Sequence, residues 1–278
     1  MAGKFPDPYM SAQMIGQAIG GVFPALVDIS IVALHVEEED VGSTCFTIAT
    51  VVLIICLVSL RWAFQTDFFK HYYYHQHDSH ESMEEDANQQ TDKPSVFTVV
   101  QHCWIYLISI FLTFTITLTV FPSVAVLVQS ETYNSESAWA RDYFTPVCVF
   151  LLFNVGDLVG RSLASWIKLP GRSALGKGLV LVLSVSRIAF VPLFMYCNIV
   201  TEKRSERNVL FASDADFIAF MTLFAVSNGY LGNICMLNGP KSSSDKEMQE
   251  AIALILIAGL VLGTGAGSAI SYPLVSIL

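Results

Sequence analysis

Charge is scarce in this chain. Only 14% of its 278 residues are Asp, Glu, Lys or Arg, against roughly 25% in an average soluble domain. What charge there is sums to −9, so there is no basic footprint for a nucleic-acid partner. Much of the acid is confined to residues 37–40 and 78–86. Enzyme signatures are also missing. There is no phosphate-cradling glycine loop, no His-Glu-x-x-His and no Gly-x-Ser-x-Gly, so neither catalysis nor a cofactor is expected. No Asn-x-Ser/Thr occurs, which removes glycosylation as a topological marker. The six cysteines (Cys45, Cys56, Cys103, Cys148, Cys197 and Cys235) never fall in a Cys-x-x-Cys spacing and lie in or beside apolar segments. They read as small buried hydrophobes rather than a disulfide framework or metal site. No cleavable leader is expected either, because the first apolar run carries Gln13, Gln17 and Asp28.

Apolar residues fill the space that charge leaves. They make up 53% of the chain, and the mean hydropathy is +0.54. Seven segments, near 10–34, 42–65, 96–128, 143–167, 177–200, 215–238 and 248–275, are long enough to cross roughly 30 Å of hydrocarbon. The expected class is therefore an all-α membrane protein of about seven transmembrane helices in a lipid bilayer. The third segment is over-long and contains Pro122, which predicts a kink or break. The sixth carries Ser227-Asn228-Gly229-Tyr230, which predicts an interruption at mid-depth. Gly259, Gly263, Gly265 and Gly267 in the last segment, and Gly16 and Gly20 in the first, read as devices for close helix approach.

Residues 67–95 form the one clear linker, polar and acidic and bounded by Pro94. They divide the chain into two spans (1–66) and five spans (96–278). The histidines His71, His75, His77 and His80 lie on this linker without a scaffold to fix ligand geometry, so no metal is expected. Lys and Arg counted over the loops give nine on the side that holds the N-terminus (Lys4, Arg61, Lys70, Lys93, Lys168, Arg172, Lys177, Lys241, Lys246). Four lie on the other side (Arg141, Lys203, Arg204, Arg207). This asymmetry predicts a cytoplasmic N-terminus and, after seven crossings, an extracellular C-terminus, with the plasma membrane as the expected location.

One span carries a carboxylate and a guanidinium four residues apart, Asp157 and Arg161. At about 100° per residue, Phe150, Asn154, Asp157 and Arg161 share an arc of roughly 60°. A charge at bilayer depth costs at least ~2.5–3.5 kcal/mol on insertion scales, so such groups face a partner or a wet cavity. Two readings stand side by side. The stripe lines a route for a polar aromatic solute, or Asp157 and Arg161 satisfy only each other in a packed helix. Asp28 and Arg187 are the other intramembrane charges. Asp28 is weighted towards a structural role, and Arg187 towards pairing with Asp157 or a backbone carbonyl.

The wording of this span, with Ser162 and Leu163, matches Phe-x-x-x-Asn-x-x-Asp-x-x-Gly-Arg-Ser-Leu, the signature helix of the equilibrative nucleoside transporters. Further resemblances occur in family order. Met10-Ser11-Ala12-Gln13 is similar to Met-Ser-Gly-Gln, and Phe121-Pro122-Ser123-Val124-Ala125-Val126 to a Phe-Pro-Ala-Val-type kink. Ser186-Arg187, Phe190-Val191-Pro192-Leu193 and Cys197-Asn198 resemble the next span. Ser227-Asn228-Gly229-Tyr230-Leu231 and Gly239-Pro240-Lys241 resemble the one after.

The resemblance implies a major-facilitator-like bundle of six helices packed against five, moving nucleosides, and in some members nucleobases, down their gradient by alternating access. It implies substrate contacts from Phe121, Phe150, Asn154, Asp157 and Arg161, with Leu260 as an apolar wall. On that plan residues 10–66 match the fifth and sixth spans, and 95–278 match all of the second bundle. The first four spans have no counterpart, so a truncated isoform or fragment is expected. The alternative is a non-transporting subunit that associates with a full-length homologue. A seven-span receptor is disfavoured by the charge bias, by the lack of an Asn-Pro pair and by the order of Arg141-Asp142-Tyr143.

Overall fold

The computed structural model describes residues 7–35, 38–67, 69, 95–133, 137–167, 169–171, 173–199 and 209–278. The four linker histidines, and Lys4, Lys70, Lys93, Lys168, Arg172, Lys203, Arg204 and Arg207 from the loop count, lie outside the described residues. So do the side chains of Met10, Ser11 and Gln13. Among the described residues, seven helical segments are long and apolar enough to cross a membrane: Ile15–Ala33, Asp40–Ala63, Val96–Leu127, Trp139–Trp166, Ala174–Met195, Asp214–Asn238 and Lys246–Ile277. All seven hydropathy-predicted spans are present. The chain is an all-α integral membrane protein.

The helices are α1 (Asp7–Ala33), α2 (Glu38–Ala63), α3 (Val96–Val120), α4 (Leu152–Trp166), α5 (Ala174–Ser186), α6 (Phe190–Met195), α7 (Asp214–Asn238) and α8 (Lys246–Ile277). Three interruptions follow from local chemistry. α3 stops where expected: Phe121 is extended, the Phe121–Pro122 bond is cis, and a 3-10 turn at Ala125–Leu127 follows. The fourth span opens in wider π-helical turns, Trp139–Tyr143 and Thr145–Leu151, before α4 tightens. Pro146 sits in the second of these and withholds one backbone donor. Between α5 and α6 lies a 3-10 turn at Arg187–Ala189. Pro192 explains its place, because the proline ring crowds the carbonyl four residues earlier.

The predicted interruption of the sixth span is not found. α7 runs unbroken through Ser227-Asn228-Gly229-Tyr230. Gly229 serves helix contact instead of a break. A methyl there would collide with the Asp157 carbonyl, and one at Gly160 would collide with the Val226 carbonyl. The two glycines bring the backbones of α4 and α7 together, so the small residue is required by the neighbouring helix.

The chain divides into two compact units. One comprises Met1–Gln13 and Ser30–Lys93, the other Met14–Ile29 and Pro94–Leu278. In the first, α2 buries nothing along its apolar window. It presents Phe46, Leu53, Ile54, Leu57 and Trp62 outward, a surface suited to hydrocarbon. In the second, α3 packs chiefly on α8, and α4 on α7. Gly259, Gly263 and Gly267 line the α8 face against Leu107, Phe111 and Thr115 of α3, whereas Gly16, Gly20 and Gly265 meet open space.

Two apolar clusters form the core of this unit. One gathers Phe144, Phe153, Phe194, Phe217 and Phe224 with the turn after α3. The other gathers Cys103, Tyr106, Ile110, Ala164, Ile234 and Leu256. Cys103, Cys148, Cys197 and Cys235 are buried free thiols, Cys45 is half-buried, and Cys56 is exposed on α2. Where α3 turns inward with polar side chains, at Thr113 and Thr117, each hydroxyl lies 2.7 Å from the carbonyl four residues back, within donating reach. That internal bond replaces the water that a bilayer lacks.

Candidate functional site

Asp157 lies mid-way along α4, with its side chain 10% exposed, and Arg161 one turn on, 20% exposed. The Arg161 Nε donates to Asp157 Oδ2 at 2.7 Å. The pair is not self-sufficient. Asn228 Nδ2, on α7, donates to Asp157 Oδ1 at 2.7 Å. The close α4–α7 approach makes this reach possible, because Gly229, the residue after Asn228, is what admits the Asp157 backbone.

From Asn228 the hydrogen bonds continue inward. Thr117 Oγ1 of α3 donates to Asn228 Oδ1 at 2.7 Å and accepts from Arg187 Nη2 at 2.8 Å. Arg187 is 1% exposed. It also donates to the Phe224 carbonyl at 2.8 Å and to Ser227 Oγ. Its guanidinium lies 4.6 Å from the centroid of the Phe224 ring and 5.8 Å from that of Phe190. A buried cation is tolerable because carbonyl, hydroxyl and ring faces replace most of its hydration, although its buried Nε donates to nothing among the described residues. Of the two pairings read from sequence, the backbone carbonyl is the direct one, and Arg187 reaches Asp157 only through Thr117 and Asn228.

The rest of the stripe faces elsewhere. Asn154 is half-buried. Its Nδ2 donates to the Phe150 carbonyl at 2.8 Å, and its Oδ1 sits where a methyl on Gly21 of α1 would stand. Phe150 meets Phe121 edge-on at 5.9 Å, and Phe121 stacks on Phe153 at 3.9 Å. The Phe121 turn, the wide π-helical start of the fourth span and the head of α4 thus bring three aromatic rings together. Leu260 is half-buried and packs against the Cys103–Tyr106–Leu256 cluster.

Two features give this arrangement chemical capacity. Among the described residues, the Nη1 and Nη2 of Arg161 make no hydrogen bond, since Asp157 takes only Nε. Asn154 Oδ1 likewise receives no donor there. A half-buried donor fork, an amide oxygen that receives no donor and a neighbouring aromatic cluster suit a ligand with a flat ring and several hydroxyls. The sequence did not mark Thr117 or Asn228 as part of this constellation. Thr117 is one of many threonines on α3. Asn228 stood in the family-like stretch 227–231 as an amide beside a glycine, which pointed to a helix break rather than to a partner for Asp157.

Comparison with known proteins bears on the same residues. The chain is 32% identical to human Equilibrative nucleoside transporter 2 over 97% of its own length and 65% of that protein's. It is 32% identical to human Equilibrative nucleoside transporter 1 over 95% of its length and 62% of that protein's. It is 24% identical to Equilibrative nucleotide transporter 1 of Arabidopsis thaliana over 98% of its length and 58% of that protein's. The chain therefore spans somewhat under two thirds of the length of these relatives. The sequence profile of the nucleoside transporter family matches residues 1–276, which takes in the stripe and both Arg161 and Arg187. This chain is a member of the nucleoside transporter family, a membrane transporter family and not an enzyme family.

Proposed function

We propose that this chain takes part in facilitative movement of nucleosides across a membrane, with Asp157, Arg161, Asn154, Phe150, Phe121 and Leu260 contacting the substrate. The observation that carries the reading is the unspent donor fork of Arg161. Its guanidinium is anchored by Nε on Asp157 and keeps two terminal nitrogens for a ligand. A ribose oxygen or a base carbonyl is the acceptor that fits, and the hydrogen bond replaces water at a depth where an unmatched polar group costs ~1–3 kcal/mol. Each oxygen of Asp157 keeps a second lone pair for a ribose hydroxyl. Asn154 Oδ1 accepts from an exocyclic amine, and the Phe121–Phe150 pair flanks the base. The same donors suit nucleobases, which lack the hydroxyls for Asp157 and bind more weakly on this reading.

Alternating access moves such a site between two aqueous faces. We place the N-terminus in the cytoplasm and the C-terminus outside, in the plasma membrane, on the loop charge bias. Reconstitution of the chain in liposomes with radiolabelled uridine tests the proposal. Saturable uptake is expected, abolished by Asp157→Ala and by Arg161→Ala while the protein remains in the bilayer. Uptake unchanged in both variants would sink the site assignment. No uptake by the chain alone, with suppression of uptake when it is co-reconstituted with a full-length homologue, would replace transport with the subunit role.

A further inference from the structure

We propose that Arg187, Thr117 and Asn228 are positioning residues for the substrate site: together they form a directed hydrogen-bond relay, anchored on three other spans, that fixes the carboxylate of Asp157. The inference rests on the reading of Asp157 as a substrate contact. Donors along the relay point one way. Arg187 Nη2 donates to Thr117 Oγ1 at 2.8 Å, Thr117 donates to Asn228 Oδ1 at 2.7 Å, and Asn228 Nδ2 donates to Asp157 Oδ1 at 2.7 Å. At its far end Arg187 is tied to the Phe224 carbonyl at 2.8 Å.

Chemistry leaves the relay little freedom. An ionised carboxylate only accepts, so Asn228 must present its NH2 to Asp157 and its carbonyl oxygen to Thr117. A guanidinium only donates, so Thr117 must accept from Arg187. The one hydroxyl proton of Thr117 has two acceptors in reach, Asn228 Oδ1 and the Thr113 carbonyl, both at 2.7 Å. Thr117, Asn228 and Arg187 are 3%, 3% and 1% exposed, so none of them forms a wall of the site, and bonds in such a chain polarise one another. Without the relay, Asp157 is held by Arg161 alone, and the side chain whose fork serves the ligand must also supply all the orientation of the carboxylate.

The test uses Thr117→Val, which keeps shape and removes the hydroxyl, and Thr117→Ser, which keeps the hydroxyl. Two readouts are taken on the purified chain in nanodiscs. One is the isotope-edited infrared carboxylate band of Asp157, assigned by its loss in Asp157→Asn. The other is uridine affinity from thermal shift. Thr117→Val is expected to move the band and weaken uridine by about tenfold, the equivalent of one hydrogen bond, while Thr117→Ser leaves both near wild type. An unmoved band and unchanged uridine affinity in folded Thr117→Val would overturn the inference, since a purely structural threonine lowers melting temperature alone. If Thr117→Val does not fold, Asn228→Ala reads the same two quantities one bond closer to Asp157, with the same criteria. A moved band in a protein whose wild type gives no uridine shift would instead overturn the transport-site reading and leave the relay standing as architecture.

Discussion

Arg161 holds Asp157 through Nε alone, so two substitutions separate its charge from its fork. Arg161→Lys keeps a cation beside the carboxylate but offers a single point of donation in place of a planar fork. Uridine uptake is expected to fall ten- to a hundredfold, roughly the loss of one or two charge-assisted hydrogen bonds, with melting temperature close to wild type. Arg161→Ala leaves a nearly buried carboxylate with Asn228 as its remaining partner, a loss of about 3–5 kcal/mol for breaking a buried pair. Both uptake and melting temperature should then drop. Full uptake in Arg161→Lys, measured in proteoliposomes, would mean that the terminal nitrogens do not meet the substrate.

Exchanging the pair gives a sharper result. Asp157→Arg with Arg161→Asp preserves the ion pair along α4, but it sets a guanidinium against the NH2 of Asn228, donor facing donor. The ion pair alone predicts recovery of stability relative to either single variant. The relay to α7 predicts that recovery stays incomplete, and no uptake returns because the fork now points from the wrong turn. Thermal melts of the two single variants and the double variant decide this. Complete recovery of melting temperature would remove the α7 contact from the stability of the site.

Among the elements, α4 and α7 are set by glycine. Gly160→Ala and Gly229→Ala each place a methyl against a backbone carbonyl of the partner helix, and backbone cannot yield as a side-chain tip does. A cost of ~1–3 kcal/mol is expected from such overpacking, with loss of uptake because Asn228 is carried away from Asp157. Gly265→Ala, on an open face of α8, should change melting temperature little. Equal effects at Gly160 and Gly265 would contradict the close crossing.

These elements also mark where sequence reading succeeds and where it stops. Spans are legible because hydrocarbon thickness imposes a length and a composition, and the break after Val120 is legible because Pro122 lacks a donor. The continuity of α7 was not legible, since a glycine that serves a neighbouring helix looks the same in sequence as one that breaks its own. The stripe from Phe150 to Arg161 was legible as an i, i+4 pattern on one helix. The relay was not, because Thr117, Asp157, Arg187 and Asn228 lie on separate spans, and only tertiary packing brings them into hydrogen-bonding distance. The wide turns at Trp139–Tyr143 and Thr145–Leu151 carried no hydropathy signal beyond Pro146. They place Phe150 in a broader helix than the 100° step assumes.

On the scale of the whole molecule, the proposed sidedness of the chain rests on where its basic residues fall, and two exposed serines test it. Ser137 lies between the third and fourth spans, and Ser244 between α7 and α8, both solvent-exposed. With the N-terminus cytoplasmic, seven crossings put Ser137 outside and Ser244 inside. The labelling is done in a Cys45→Ser background, because Cys45 is only half-buried near one end of α2. Of the other native cysteines four are buried and Cys56 lies on an apolar span, and a thiol in hydrocarbon does not form the reactive thiolate. In intact cells a membrane-impermeant maleimide should therefore label Ser137→Cys directly and Ser244→Cys only after permeabilisation. The reverse pattern would invert every loop. It would then place the nine-residue basic side outside, against the charge asymmetry that orients helical membrane proteins.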